Sequence, residues 1–394
     1  MNHHPKDFYP VTPQIKVVFI LCCMGLLVFY GTLHSPFHYD DAHAIVESPH
    51  IKDLSKFQER VGIQNVFNRS VLLLSFAINQ HIGEMKVFGY HLVNILIHIL
   101  NSILWFFLVK GFLYIEPSKN RLLLNTLPLV CSIIHLVNPI NVQAVTYLSS
   151  RSSLLATFFY LLAFYIFLKF LKPSKEVFSK LRTPIFVFSV LIFLFLGIAT
   201  KEIVASFPLI VIVYLWLATP NEKRKSLIPK FISILFLFLV FMGYRYFEQG
   251  NLFSIKADPA STNTHHLLYL LSQIKVIVGY YFLKLLAPFN LNFEPDIVLY
   301  SNWFHWDWVI SLTILLITGI IIFKQQSKII KFGALWFLIT LLPTSSFIPL
   351  KQLATEHRTY LPGLGFSLVL GWVILNIKNY QKMAKSIFLI FILL

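Results

Sequence analysis

The stretch Val17-Val-Phe-Ile-Leu-Cys-Cys-Met-Gly-Leu-Leu-Val-Phe-Tyr-Gly-Thr-Leu33 carries no charged side chain. As a helix rising about 1.5 Å per residue, such a run approaches the ~30 Å hydrocarbon thickness of a bilayer. It is too long for the apolar core of a secretory leader and lacks a small-residue cleavage site, so it reads as a retained first membrane helix. Directly after it comes Pro36-Phe-His-Tyr-Asp-Asp-Ala-His-Ala-Ile45, with two adjacent aspartates and two histidines. Acids placed at the lip of an apolar span need a reason.

The rest of the chain repeats the first signal. Of 394 residues, 57% are hydrophobic and 13% charged. Soluble domains carry about twice that charged fraction, so this is a polytopic membrane protein and not a globular domain with an anchor. The 39 phenylalanines and the absence of alternating patterning point to lipid-facing helices and away from a β-barrel. Cys22, Cys23 and Cys131 all lie inside apolar runs and read as packing residues, without a disulfide framework or zinc site.

Runs long enough to cross lie at 15–33, 89–110, 122–140, 151–171, 184–200, 203–219, 229–247, 305–323, 332–349 and 360–377. An eleventh begins near Lys385 and stops at Leu394. Segments 71–83 and 267–287 read as interfacial or re-entrant helices on the outer face, the second because Lys275 and Lys284 are costly at mid-bilayer. With a cytoplasmic N-terminus, the inner segments are 1–16, 110–121, 169–183, 219–230, 324–331 and 378–385. They hold 20 of the 33 Lys and Arg and only four of the 17 acids. The whole excess of +16 therefore falls on the cytoplasmic side, as the positive-inside rule requires. The basic clusters are orientation signals and not a nucleic-acid site, since no stripe of stacking aromatics accompanies them. The expectation is an all-α bundle of about 11 transmembrane helices forming a single domain over 1–394, with a first outer loop at 34–88 and a long outer loop at 248–304.

Once the spans are oriented, the unusual polar residues collect on the outer side. Asp40 and Asp41 follow span 1. His91, Asn94, His98 and Asn101 share one face of the helix that begins near Gly89, a pattern that suits hydrogen bonds between helices. Asn138, Asn141 and Arg151 flank the next hairpin. Lys201-Glu202 occupies a minimal turn between two apolar spans, Glu294 and Asp296 sit in the long loop, and Glu356-His357-Arg358 precede the last span. Ionisable groups at membrane depth are functional hypotheses by default. The aromatic residues flanking Asp40-Asp41 invite a partly desolvated carboxylate with a tuned pKa. His91 together with Asp40 or Asp41 offers a nitrogen and oxygen set suited to a divalent cation, Mg2+ or Mn2+.

Six motifs occur in a fixed order. They are the acid pair, Phe88-Gly-Tyr-His-Leu-Val-Asn94, Asn138-Pro-Ile-Asn-Val-Gln-Ala-Val-Thr-Tyr-Leu-Ser-Ser-Arg151, Thr200-Lys-Glu202, Leu291-Asn-Phe-Glu294 and Glu356-His-Arg-Thr-Tyr-Leu-Pro362. Between about residues 36 and 366 the chain thereby resembles the membrane domain of the transmembrane-and-TPR O-mannosyltransferases and their bacterial relatives, within the C-type glycosyltransferase (GT-C) superfamily. The resemblance implies a helical membrane enzyme that uses a polyprenyl-phosphate-linked sugar, with an acid of the first outer loop, Asp40 or Asp41, at the reacting centre. Two departures stand out. Asn138 replaces the histidine that usually precedes the proline of the third motif, and no repeat of 34 residues occurs in the chain, so no TPR domain is expected within it.

The chemistry that the resemblance implies can be stated physically. An acceptor hydroxyl attacks the anomeric carbon, one aspartate takes its proton, and the lipid phosphate departs with inversion. Lys201, Arg358, Arg151 and His357 are the candidates to receive that phosphate, with Glu202 and Glu356 holding the cations and His91 supporting the acid pair. The expected partners are the polyprenyl-phosphate sugar donor, membrane lipid and an acceptor protein or glycan, with no nucleic acid. The expected location is a bacterial inner membrane, or the endoplasmic reticulum in a eukaryote, with the active face periplasmic or lumenal. A flippase or transporter would require charges along a path through the bilayer and broken helices at mid-depth, and the inner halves of these spans are nearly free of ionisable groups. A glycan polymerase or ligase differs only in its substrates, and a non-catalytic scaffold would tolerate loss of both acids.

Overall fold

The computed structural model describes residues 14–61, 69–113, 121–171, 179–218, 240, 266–346, 349–350 and 352–376. Among them every regular element is helical. The main helices are α1 (Gln14–Phe29), α2 (Ser70–Gly83), α3 (Val87–Phe112), α4 (Arg121–Val137), α5 (Arg151–Leu171), α6 (Ser179–Ile198), α7 (Phe207–Ala218), α8 (His266–Leu286), α9 (Trp306–Lys324), α10 (Lys328–Leu341) and α11 (Pro362–Asn376). Five stretches are long and apolar enough to cross a membrane: Gln14–Thr32, α3, Leu148–Leu171, α8 and α9. A sixth results if α4 and the segment after it, bent by 52°, count as one span. Apart from residue 240, the expected span at 229–247 and the start of an eleventh near Lys385 lie outside the described residues. So do segments 219–230 and 378–385, most of 110–121 and the middle of 169–183.

Several expected boundaries move for local reasons. The run 122–140 does not continue straight. Asn138 accepts the Ile140 N–H at 3.2 Å, Pro139 opens a 3-10 turn, and a short helix Val142–Thr146 sets off in a new direction. The run 332–349 is shifted toward its N-terminal side. Ser327 caps the helix by accepting from Ile330, and helical structure ends at Leu341. The run 203–219 begins with a 3-10 turn, Glu202–Ser206, before α7.

The bundle core forms where α3, α4, α5, α10 and α11 meet. Trp105 and Trp336 lie with ring centroids 5.3 Å apart and are both fully buried. Their indole N–H groups donate to Ser367 Oγ and to the Leu361 carbonyl, each at 3.0 Å, so neither ring strands a donor in an apolar interior. α10 and α11 approach through Gly333 and Gly365. A Cβ built on either glycine would collide with the other's carbonyl oxygen, the close backbone packing that small residues permit between membrane helices. The polar stripe of α3 cross-links its neighbours as its spacing suggested. Asn94 donates to the Val145 carbonyl, Asn101 to the Leu154 carbonyl, and His98 meets both the Leu136 carbonyl and the Tyr360 hydroxyl.

Helices α1, α4, α6 and α10 end, and α3, α5, α7 and α11 begin, at a common face that we call the loop end. α2 and α8 lie across it. The Val71 N–H at the start of α2 donates to the Ala199 carbonyl, while Asn79 further along donates to the Gly89 carbonyl. Along α8, Gln273 donates to the Leu353 carbonyl, the Thr355 N–H donates to the Tyr281 hydroxyl, and the Leu285 carbonyl accepts from Asn138. Although α8 is long and apolar enough to cross, these hydrogen bonds between Gln273 and Leu285 all reach loop-end segments, which supports the interfacial reading.

Candidate active site

The acid pair sits where the chain leaves α1. Tyr39 takes a left-handed backbone conformation (φ 50°), which turns two successive side chains into different surroundings. Asp41 is buried. Its Oδ1 accepts from the Ser149 N–H at 2.7 Å and the Ser149 hydroxyl at 2.6 Å, and its Oδ2 accepts from the His38 N–H at 3.2 Å. Asp40, one residue earlier, is exposed. Beside it stands Tyr147, whose hydroxyl is held protonated far above its ordinary range, first by burial and then by the negative charge of Asp40.

The cations gather from three other elements. Lys201 is buried in the turn between α6 and α7, and its Nζ donates to Ser153 Oγ at 2.9 Å. Burial, together with the nearby guanidinium groups of Arg69 and Arg358, lowers its pKa to about 8, although Glu202 acts in the opposite sense. Arg358 is buried and donates to the Leu353 and Gln352 carbonyls. Two ion pairs occur among the described residues, His43–Glu47 and Lys275–Asp307, and neither involves these cations. Positive charge left without a carboxylate at hydrogen-bond distance suits an anionic ligand. His357 belongs to this group in space but not in charge. Burial first, then Lys201, Arg358 and Arg69, hold its pKa far below 6.5, so it is neutral near pH 7.

Two sequence expectations need correction. Arg151 does not face the cations: it is fully buried and gives its guanidinium to Asn94 (2.6 Å), Asn79 (2.7 Å), the Ser75 carbonyl (3.2 Å) and hydroxyl (3.3 Å), and the Tyr90 carbonyl (2.9 Å). It also lies over the Phe76 ring at 4.5 Å. Arg151 is therefore the junction of α2, α3 and α5, able to sit inside because acceptors from α2 and α3 satisfy its guanidinium. Glu356 does not hold a cation either. Its Oε1 accepts from Tyr280 Oη (3.0 Å) and from the Asn292 N–H (2.7 Å), tying α8 and the following loop to the start of α11. His91 spends Nε2 on the Ser35 carbonyl at 3.0 Å, which props up the segment leading to the acid pair.

Other residues complete the site, and sequence reasoning did not single them out. Phe293 stacks on Tyr39 (centroids 4.2 Å apart, 8° between planes) and meets Tyr147 edge-on at 4.8 Å. Gln143 donates from Nε2 to the Phe293 carbonyl and accepts the His357 N–H at Oε1, both at 2.7 Å. It thus joins the acid side of the site to the cation side. Phe293, Gln143 and Tyr147 lie inside quoted motifs, but only folding shows which members face the site. Arg69 carries no sequence signal at all; its left-handed backbone (φ 60°) places it immediately before α2, next to Ala199.

A divalent cation finds little to hold it here. Both oxygens of Asp41 accept protein hydrogen bonds, Nε2 of His91 is engaged, and no group of three His, Cys, Asp or Glu side chains forms among the described residues. We therefore derive no step through a metal.

This architecture defines the class: an all-α, multi-pass membrane protein with an acid and a cation cluster on one face of its bundle. Comparison with curated proteins then gives the nearer likeness. The chain is 24% identical over 397 residues to protein O-mannosyl-transferase F38B6.6 of Caenorhabditis elegans, covering 96% of this chain and 54% of that protein. It is 25% identical over 186 residues to human protein O-mannosyl-transferase TMTC3 and 28% identical over 182 residues to Drosophila melanogaster Tmtc3, matches that cover 44% and 40% of this chain and 19% and 20% of those proteins. The chain spans about half the length of the first of these relatives and about a fifth of the other two. The resemblance read from the six motifs thus finds independent support. No family model and no solved structure matches.

Proposed function

We propose that the chain is an inverting membrane glycosyltransferase of the mannosyltransferase type, working at the loop end. It moves a sugar from a polyprenyl-phosphate donor to an acceptor hydroxyl, with Asp40 as the base. One observation carries this reading: an exposed carboxylate and a set of cations without a carboxylate at hydrogen-bond distance occupy the same face, with Gln143 bridging Phe293 on the acid side to His357 on the cation side. The names of the matched relatives support the transfer of mannose to protein.

In this mechanism the acceptor hydroxyl approaches C1 of the sugar from the Asp40 side. As the new C–O bond forms, its proton passes to the carboxylate, while the bond from C1 to the phosphate oxygen breaks. Phosphate departs without a protonating acid, so its charge must be met by fixed positive groups, here Lys201, Arg358 and Arg69. Arg presents two parallel donors to a phosphate, whereas Lys acts as a point charge. Asp41 positions Asp40 by pinning the following residue to Ser149. The aromatic trio Tyr39, Phe293 and Tyr147 shields the carboxylate from bulk water on one side. α2 and α8, lying along the interface, flank the polyprenyl chain. The loop end is then the lumenal or periplasmic face. The matched relatives come from animals, which favours the endoplasmic reticulum membrane over a bacterial inner membrane.

The test uses purified wild type, Asp40→Asn and Asp41→Asn, with release of free polyprenyl phosphate from a panel of lipid-linked hexoses as the readout. Turnover by wild type, with donor binding but no release by Asp40→Asn, is the expected result. Equal turnover by wild type and Asp40→Asn would remove the base from the mechanism, and no turnover of any donor would remove the activity.

A further inference from the structure

The first outer loop brings the acid pair, and the turn between α6 and α7 brings Lys201. Among the described residues no hydrogen bond runs directly between 36–45 and 200–202. Both segments are fastened instead to one short stretch, Ser149-Ser-Arg-Ser-Ser153. Ser149 holds Asp41 Oδ1 through its N–H at 2.7 Å and its hydroxyl at 2.6 Å. Ser153, four residues on and buried, accepts from Lys201 Nζ at 2.9 Å. The ammonium keeps donors beyond the one given to Ser153, so this anchor does not exhaust its capacity for an anion.

The stretch is stiff for two reasons. It begins as the 3-10 turn Leu148–Ser150, which runs straight into α5, so its backbone is helical throughout. Arg151 lies at its centre, and its guanidinium binds Asn94 and the Tyr90 carbonyl on α3 and Asn79 and the Ser75 carbonyl on α2. From its fully buried position this side chain clamps the turn to two neighbouring helices. Four helical residues rise about 6–8 Å, so the anchor of the acid loop and the anchor of Lys201 stand one turn apart.

Such a spacing has chemical value. An inverting transfer needs the attacking hydroxyl and the departing phosphate on opposite sides of C1, and a misplacement of about 1 Å can cost roughly 10²-fold in rate. Two loops that meet only across substrate cannot hold that tolerance, whereas a clamped helical turn can. We propose that Ser149-Ser-Arg-Ser-Ser153 is a spacer that fixes the acid side of the site against the cation side, with Ser149 the positioning residue for the acid loop and Ser153 the positioning residue for Lys201. The part it plays in transfer rests on the proposed function; its placing of Lys201 for an anion is measured without any turnover. Arg151 then serves the site without facing it.

The test reads binding and turnover separately, on the full chain in lipid nanodiscs with polyprenyl phosphate as the binding probe. Ser153→Ala is expected to weaken that binding about tenfold, the loss of one hydrogen bond to a charged group. It is also expected to move the pH break of binding below the wild-type value near 8, because a hydroxyl that accepts from an ammonium favours its charged form. Glu202, Arg69, Arg358 and His357 are the other charged or titratable groups around Lys201, and all are kept in this variant. The probe's own second ionisation falls lower, at about pH 6, so the break reports the lysine. Ser153→Thr keeps the hydroxyl and is expected to recover most of the lost affinity. Ser149→Ala leaves its N–H on Asp41 and removes the hydroxyl. It is expected to lower kcat about tenfold with probe binding unchanged.

A lower melting temperature for Ser153→Ala with wild-type affinity and an unmoved break makes Ser153 merely structural and overturns the proposal. So does an equal loss of kcat and probe affinity in both alanine variants, since the turn then does not hold two separate sides. If no lipid-linked sugar turns over but Ser153→Ala shifts the break and weakens binding, the proposed activity fails and the placing of Lys201 stands.

Discussion

Asp41 and Ser149 lie 108 residues apart in sequence and are joined by two hydrogen bonds, one from the Ser149 N–H at 2.7 Å and one from its hydroxyl at 2.6 Å. In the proposed mechanism that junction divides the labour of the acid pair, since it holds Asp41 inside while Asp40 stays exposed.

The two aspartates should therefore fail differently. Asp40→Asn is expected to lower turnover by about 10²- to 10⁴-fold, the usual contribution of a general base, with an unchanged melting temperature. Asp41→Asn places an amide against a donor N–H and a hydroxyl, and is expected to cost about 1–3 kcal/mol of stability. Thermal melting of both variants, set beside phosphate release, separates the two roles.

Lys201 gives the site a pH limit. Its pKa is lowered to about 8, so its charge is present at pH 7 and lost as pH rises through 8. Binding of polyprenyl phosphate is expected to weaken above about pH 8, and Lys201→Met is expected to bind weakly and show no break there. Stability moves the other way. Between about pH 8 and the ordinary value of 10.5, the unfolded chain holds a proton that the folded chain does not, so this group raises stability with pH over that window. A titration of phosphate binding and melting temperature from pH 6 to 10 checks both signs.

Arg151 should behave as a structural residue. Its guanidinium joins α2, α3 and α5 from a fully buried position, and Lys cannot reproduce that fork. Arg151→Met is expected to cost roughly 3 kcal/mol or more by leaving Asn94, Asn79 and the Tyr90 carbonyl without their donor. If the variant folds normally and loses only phosphate affinity, Arg151 belongs to the anion site after all.

Glu356 is a clasp whose charge works against it. Burial raises its pKa, with the Asn292 N–H, the Tyr280 hydroxyl and Lys284 opposing the shift. A carboxyl with a raised folded pKa costs stability as pH climbs from its ordinary 4.5 through the folded value. Glu356→Gln keeps an oxygen for both donors and removes the charge, so it is expected to melt at or above wild type at pH 7, whereas Glu356→Ala melts lower. Calorimetry at pH 5 and pH 7 distinguishes these outcomes, because the Gln variant should lack the wild-type decline.

The sequence by itself determined the solvent and the class. Runs such as Val17–Leu33 have no stable place outside a bilayer, and the four polar residues of α3 fall on one face because the helix repeats every 3.6 residues. It also drew the acid pair, Lys201 and Arg358 toward one side, since alternating spans sort loops by sign of charge. The tertiary structure decided which groups are free. Asp40 and Asp41 are chemically identical neighbours, and they differ only because Ser149 arrives beside one of them. Arg151 and Arg358 look alike in a list of loop cations, yet the first is enclosed by acceptors from two neighbouring helices and the second stands with Lys201 and Arg69 without a carboxylate at hydrogen-bond distance. Arg69, Gln143 and Phe293 join the site through contacts that close over long stretches of chain, and helical periodicity extends only a few turns. Burial and partnership are properties of that closure, which no local pattern encodes.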